Sequence, residues 1–215
     1  MVDRVTVCLT SCGRKDLLIQ TIDSFYKYNT YPIVDFLIYE DRNQYTDDIV
    51  ETINARYPSI KIYTNDNRLG QRAAIDFLYS LVTTEYIYHC EDDWEFYNPN
   101  FIEKSLVYLK SDPKILQVHN RQRYDINGHP TKDFCDEYSI LCYDFMNIWN
   151  GFSFNPGLRR ISDYHIIKSY CSFTYEHEIS LEYKRLGYYA IVLNGDGFVR
   201  HIGYDRHIKD PTNGV

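Results

Sequence analysis

Tyr86-Ile87-Tyr88-His89-Cys90 is a short β-rich run that ends in the acidic triplet Glu91-Asp92-Asp93, and the elements on its amino-terminal side decide how it is read. Directly before it, residues 71–81 carry apolar side chains at helical spacing behind a polar loop, 64–70, and that loop follows a short strand-like run, 60–63. One unit further back, residues 34–39 close on Glu40-Asp41 and lead to a helix over about 46–57, with Thr46 as the expected N-cap and Pro58 as the stop. The first unit is an apolar run, 5–9, and the loop Thr10-Ser11-Cys12-Gly13-Arg14. Leu17, Leu18, Thr21, Ile22 and Phe25 then recur at helical spacing. Short strands alternating with amphipathic helices predict an α/β fold with a doubly wound, mainly parallel sheet, whose ligands sit beyond the carboxyl ends of the strands. Each polar cluster named above stands at such an end.

On the carboxyl side the pattern is less regular. Asn98-Pro99 opens a helix to about residue 110, residues 115–119 read as a strand, and Asn127-Gly128 marks a hairpin-type turn. A helix over about 175–186 ends at Gly187, and 188–193 and 197–202 read as closing strands. This half predicts a smaller, mixed sheet. With 215 residues and no linker, repeat or low-complexity tract, the expectation is one domain over 1–215.

Composition narrows the function classes. A net charge of -7 argues against a protein that neutralises a nucleic-acid backbone. No apolar run reaches membrane-spanning length, and Met1-Val2-Asp3-Arg4 leads straight into the first strand without the pattern of a signal peptide, so a cytoplasmic protein is expected. The six cysteines form no C-x-x-C pair and mostly lie in apolar stretches, as buried free thiols do, and no N-x-S/T sequon occurs. The 22 tyrosines suit half-wet clefts and sugar faces, but packing accounts for most of them.

Three adjacent acids after a buried strand repel one another unless a cation or good hydration compensates them. Carboxylates of this kind suit Mg²⁺ or Mn²⁺, which take one or two protein carboxylates and complete their shells with phosphate and water. If strand geometry persists, Glu91 and Asp93 face one way and Asp92 the other, so the three cannot all hold one ion. The bland alternative is a solvated acidic turn with Trp94 beneath it. Glu176 and Glu178, in turn, are either catalytic or simply first-turn acids favoured by the helix dipole. Arg159-Arg160 reads as a solvated face, and 152–154 as a hydrophobic strand before a turn at Asn155-Pro156-Gly157.

The order of these motifs resembles the GT-A glycosyltransferases, in particular the inverting family 2 type, over most of the chain. Thr10–Arg14 stands where that family has its first nucleotide loop, and Glu40-Asp41 where an Asp holds the base. Asn67-Arg68-Leu69-Gly70-Gln71-Arg72 looks like the N-x-G-x-x-x-A-R-N region, and Glu91-Asp92-Asp93 takes the place of the D-x-D motif. The resemblance implies a GT-A, Rossmann-like fold with a nucleotide-binding half, 1–95, and an acceptor-binding half, 96–215. It further implies that Thr10, Ser11, Arg14, Asp41, Arg68, Arg72, Glu91 and Asp92 contact the donor. Asp93 would bind the metal with His201 of Arg200-His201-Ile202-Gly203 as companion, and an imidazole ligand favours Mn²⁺ over Mg²⁺.

Residues 174–188 are similar to the family's G-E-D-x-D-L-x-x-R-x-x-x-G-Y segment, which aligns Glu176 with the catalytic base. Thr174, Tyr175 and Glu176 replace Gly, Glu and Asp of that pattern, so Glu178 stays open as the rival. Trp149 falls where related enzymes build the sugar and acceptor pocket. The activity implied is a metal-dependent inverting glycosyltransferase of hexosyltransferase type, moving a sugar from a UDP-sugar to a hydroxyl of a glycan or glycoprotein. The alternatives are a sugar nucleotidyltransferase, for which Gly13 is a meagre phosphate loop, and a non-catalytic nucleotide-sugar-binding domain. A narrower resemblance, to the glycosyltransferase domains of virus-encoded capsid-glycosylating proteins in algal hosts, would place the chain in a host cytoplasm.

Overall fold

A computed structural model describes residues 2–142, 151–206 and 208. The first strand, β1 (Val5–Ser11), is buried along its whole length, which is why its sequence is apolar on both faces instead of alternating. β1 pairs in parallel with β2 (Asp35–Glu40) on one side and β4 (Tyr86–Glu91) on the other, with Leu9 opposite both Ile38 and Cys90. β3 (Ile60–Tyr63) continues the sheet beyond β2, also parallel. The helices between them are α1 (Lys15–Tyr28), α2 (Thr46–Arg56) and α3 (Gln71–Ser80). The chain therefore runs outward from β1 to β3 and then crosses back to β4 on the far side of β1. A crevice opens at the carboxyl ends of β1 and β4, where the winding reverses.

The rest of the chain extends the same sheet. β5 (Trp94–Phe96) leads to α4 (Phe101–Ser111) and β6 (Ile115–His119); the hairpin β7 (Thr131–Asp133) and β8 (Tyr138–Leu141) follows. Then come β9 (Gly157–Arg160), α5 (Ile161–Ile167), a 3-10 turn at Tyr170–Ser172, α6 (Glu176–Arg185), β10 (Tyr189–Leu193) and β11 (Val199–His201). Among the described residues the main sheet has the order β3-β2-β1-β4-β9-β6-β10-β8-β7, and β11 pairs with β5 in a separate ribbon. β9 is antiparallel to both of its neighbours, so the mixed half is a continuation of the parallel half and not a second sheet.

Period-2 alternation divides the core. Val7, Leu9, Ile38 and Tyr88 point to one face and pack with Leu18, Ile22 and Phe25 of α1, Ile53 of α2 and Phe101 of α4. Cys8, Leu37, Tyr39 and Ile87 point to the other, against Ile75 and Tyr79 of α3, Tyr164 of α5 and Tyr183 of α6. Each fully buried Leu, Ile or Phe contributes about 1.5–3 kcal/mol from area removed from water.

Several local expectations are corrected. Thr46 is the first residue of α2 and not its cap; its hydroxyl accepts the Asn43 N–H one turn earlier. Asn127 and Gly128 do turn through positive φ (55° and 71°), but the hairpin beyond them closes between β7 and β8. Residues 152–154 form no strand, bends follow at 154–156, and the strand lies just beyond at β9. Arg159 and Arg160 belong to that strand, and Arg159 is buried, not solvated. All six cysteines are unpaired, but only Cys8 and Cys90 are buried. No described helix is long and apolar enough to cross a membrane.

Candidate active site

The carboxyl ends of β1, β2, β4 and β6 surround a cleft of about 510 Å³ whose walls include Thr10, Ser11, Arg14, Asp41, Arg68, Glu91, Asp92, Asp93 and His201. The strand register makes this assembly: Thr10 lies opposite Glu91, and Ser11 opposite Glu40. The loop after β1 is folded onto the acids. Ser11 Oγ donates to Asp92 Oδ2 at 3.1 Å, and the Cys12 N–H to the same oxygen at 3.4 Å. Arg14 spans both aspartates, with Nε 3.3 Å from Asp92 Oδ2, Nη1 2.7 Å from Asp93 Oδ2 and Nη2 on Asp92 Oδ1. Gly13 takes φ of 73° so that its N–H can reach Glu40 Oε1 at 2.8 Å.

The alternation expected of the triplet does not persist. β4 ends at Glu91, and Asp92 and Asp93 form the turn into β5, so both aspartates face Arg14. Asp92, 1% exposed, is occupied by the β1 loop. Burial raises its carboxyl and the Arg14 charge opposes that rise. Asp93 goes the other way: burial would raise it, but the hydrogen bond to His201 and the Arg14 charge together hold it below the usual range. Glu91 accepts from Gln71 Nε2 at 2.6 Å and from Trp94 Nε1 at 3.3 Å. Burial, then the negative charges of Asp93 and Glu176, push it up to about 8.

His201 arrives from 108 positions away through the β5–β11 ribbon, which sets His201 opposite Trp94 and lets the Ile202 N–H donate to the Asp93 carbonyl at 2.9 Å. Its Nε2 then lies 3.1 Å from Asp93 Oδ2. Gly203 completes the seat, because a Cβ there would stand 2.5 Å from that oxygen. No group of three His, Cys, Asp or Glu ligands is present among the described residues. One carboxylate and one imidazole nevertheless fit a divalent ion that draws its remaining ligands from phosphate and water.

On the β2 side, Asp41 accepts the N–H groups of Leu69 (2.7 Å) and Gly70 (3.1 Å) and Arg68 Nε (3.3 Å), which fixes the entry to α3 and leaves Arg68 on the cleft wall. Arg72, expected at the donor, does not line the cleft. It is buried, and its Nη1 donates to the Thr174 carbonyl at 2.6 Å, tying α3 to the segment that enters α6.

α6 places the two candidate bases differently. Glu178 Oε2 accepts the N–H groups of Thr174 (2.6 Å) and Tyr175 (3.0 Å), so it caps its own helix and is held below the usual carboxylate range by those bonds. Glu176, the first residue of α6, lines a second cavity of about 310 Å³ that shares Asn127 and Asn155 with the main cleft. Burial pushes its carboxyl up to about 7, against the Ser153 side chain, the Phe154 backbone and the more distant Arg159 cation, which favour the ionised form.

Arg159 itself is fully enclosed: Nη2 donates to the Ser153 carbonyl at 3.0 Å, and the guanidinium lies 5.2 Å from the Phe152 ring centroid. It therefore braces the segment beside Glu176 and does not approach the cleft. Phe152 and Phe154 are core residues. Trp149 lies outside the described residues.

Sequence reasoning missed Arg121, Gln71, Asn127 and Asn155. Arg121 follows β6, lies over the Trp94 ring at 5.0 Å and donates to Asp125 at 2.9 Å. The rule that strand carboxyl ends bear ligands points to it, since residues 115–119 read as a strand.

Comparison with known proteins fits this arrangement. The chain matches the glycosyl transferase family 2 profile over residues 6–167. Comparison with curated protein sequences gives no match. Among solved structures, the mannosyltransferase PcManGT from Pyrobaculum calidifontis, in complex with GDP-Man and Mn²⁺, superposes with a TM-score of 0.65 at 15% identity, over 91% of this chain and 57% of that one. S. aureus TarS 1–349 in complex with UDP-GlcNAc gives a TM-score of 0.63 at 12% identity, over 95% of this chain and 62% of that one. The present chain thus spans less than two thirds of either, and at these identities the likeness is one of fold. The family profile, the doubly wound sheet and the acid-lined crevice at its switch point agree: the chain belongs to glycosyl transferase family 2.

Proposed function

We propose that this domain is a metal-dependent inverting glycosyltransferase of hexosyltransferase type, which transfers a sugar from a UDP-sugar to a hydroxyl of a glycan or glycoprotein acceptor. The observation that carries the reading is the adjacency of two cavities. One is lined by Arg14, Arg68, Asp93 and His201; the other holds Glu176, and Asn127 and Asn155 form the wall between them. The diphosphate of a donor belongs in the first and the attacking hydroxyl at the second. That the structurally similar PcManGT and TarS were solved with GDP-Man and UDP-GlcNAc supports a nucleotide-sugar as the donor class.

Thr10, Ser11 and Asp41 shape the nucleoside end of the cleft, with Glu91 and Asp92 behind it. Mn²⁺, or Mg²⁺, held by Asp93 and His201 would supply charge neutralisation for the leaving diphosphate. Arg14 and Arg68 face the same developing charge from the β1 and β2 sides. Glu176 accepts the proton of the acceptor hydroxyl while that oxygen bonds to the anomeric carbon and the bond from that carbon to the β-phosphate oxygen breaks. UDP leaves with the electron pair, and configuration inverts because a single displacement occurs. A base raised to about 7 by burial is matched to work near neutrality.

The test is UDP release from a panel of UDP-sugars, with UDP affinity measured alongside. Glu176→Gln is expected to lower turnover by about 10²–10⁴-fold with UDP binding retained. Unchanged turnover in that variant, or no release from any donor by the native chain, overturns the reading.

A further inference from the structure

The second cavity has chemistry of its own. Its walls include His119, His129, Ser153, Asn127 and Asn155 together with Glu176. His119, at the end of β6, is 1% exposed, and its Nε2 lies 2.7 Å from the Gly151 carbonyl oxygen. A carbonyl only accepts, so Nε2 carries the proton and the ring is the neutral tautomer, with a lone pair on Nδ1. That Nδ1 is buried and has no hydrogen-bond partner. A buried acceptor left unmatched is destabilising, and a ligand hydroxyl that donates to it removes the penalty.

Charge complements the geometry. Burial holds both imidazoles neutral at physiological pH, pushing His119 down to about 3 and His129 to about 4. No Lys or Arg is among the described lining residues. Among the described lining residues, Glu176 is the only one that bears charge near neutrality. The Arg159 and Arg121 guanidiniums act on His119 from behind the wall but neither lines the cavity, so a phosphate or carboxylate entering here would find no cation to pair with and would face the ionised base. A hydroxyl-rich neutral ring meets two amides, a serine hydroxyl and an imidazole lone pair, with Ile126 and Leu141 as an apolar wall for its C–H face.

We propose that this cavity is the acceptor subsite, that it takes a neutral sugar unit, and that His119 selects that unit by accepting a hydrogen bond at Nδ1 from a hydroxyl beside the one delivered to Glu176. The assignment rests on the transferase reading above. It makes a distinct claim about acceptor class: sugars carrying phosphate or carboxylate on the accepting unit are excluded.

Saturation-transfer NMR on the full chain with UDP and Mg²⁺ tests it. The probes are the methyl glycosides of glucose, galactose, mannose and xylose, set against glucose 6-phosphate and glucuronate. At least one neutral glycoside is expected to receive saturation, and neither anionic sugar. His119→Phe, which keeps a ring but removes the lone pair, is expected to weaken the neutral sugar roughly tenfold, the cost of one buried hydrogen bond. Asn155→Ala, at the half-exposed rim, carries the same expectation of weaker binding should His119→Phe fail to fold.

Binding of an anionic sugar at equal or greater strength overturns the proposal. So does the absence of transfer to every neutral glycoside, or equal binding by the folded variants. If UDP itself fails to bind, the donor reading falls, whereas saturation of a neutral glycoside reports on the second cavity independently.

Discussion

The two halves of the sheet are built on different rules. From β1 to β4 the strands pair in parallel, each connection carries a helix, and every polar cluster falls at a carboxyl end. From β6 to β10 the sheet interleaves distant segments: β9 sits between β4 and β6, and β10 lies between β6 and β8. The first half supplies the loops that line the main cleft. The second supplies the groups that need long-range placement, the Glu176 carboxyl and His201. The cleft of this chain is therefore a local scaffold completed from afar, and perturbations of the two halves should differ in kind.

The largest effect is expected at the joint between them. Leu158 of β9 is fully buried and pairs with Tyr88 on one side and Val118 on the other. Leu158→Ala should cost about 2–5 kcal/mol in denaturant unfolding. A loss below about 1 kcal/mol would mean that β9 is not the strand joining the halves.

Gly203→Ala acts on the site instead of the fold. The added Cβ meets Asp93 Oδ2 at 2.5 Å and the Asp93 Cβ at 2.8 Å, so the carboxylate must shift. Misplacing a reacting-site group by this much should lower turnover about 10²-fold with little change in melting temperature. Equal turnover would show that Asp93 need not sit against the β11 end.

A smaller effect concerns pH. As the proposed base, Glu176 must be ionised to accept a proton, so turnover should fall about tenfold per unit below about 7 in native protein. Stability has the opposite sign. The Glu176 carboxyl is raised from 4.5 to about 7 in the folded chain, so its stabilising contribution is full below about 4.5 and is lost as pH rises through about 7. Glu176→Gln should flatten both profiles, and a pH profile that this variant leaves unaltered would remove Glu176 as the base.

The smallest effect belongs to the exposed pair Lys15–Asp48, at 2.8 Å between α1 and α2. Lys15→Ala should change stability by less than about 1 kcal/mol, because water screens the pair.

The same contrast explains what the sequence disclosed. Apolar periodicity announced β1 to β4 and their helices because each hydrophobic face is written within a dozen residues. The polar clusters holding Thr10, Ser11, Arg14, Asp41, Arg68 and Asp93 were legible because they sit at the ends of those strands, and the family resemblance picked out the residues within them. The role of His201 came from motif order alone: residues 197–202 read as a strand, but no local signal announces the pairing with β5 that puts His201 on Asp93.

Arg159 was misread because adjacent arginines are usually solvated, and only the β4–β9–β6 pairing buries one of them in an aromatic core. Arg72 was misplaced for a related reason: it lies one helical step past the cleft wall, and α3 turns it toward Thr174. Nor did spacing decide between Glu176 and Glu178. The structure shows Glu178 bound to the Thr174 and Tyr175 N–H groups of its own helix entry, which favours Glu176 as the proposed base.

The most direct test of a nucleoside-diphosphate site completed by Asp93 and His201 is a thermal-shift measurement with UDP, with and without Mn²⁺, on the native chain and on Asp93→Asn. A ligand bound only by the folded state raises the melting temperature. The account predicts a rise with UDP and Mn²⁺ together, a smaller rise or none with UDP alone, and loss of the Mn²⁺-dependent part in Asp93→Asn. If no nucleotide stabilises the native chain with any divalent metal, or if Asp93→Asn responds as the native chain does, the account is contradicted.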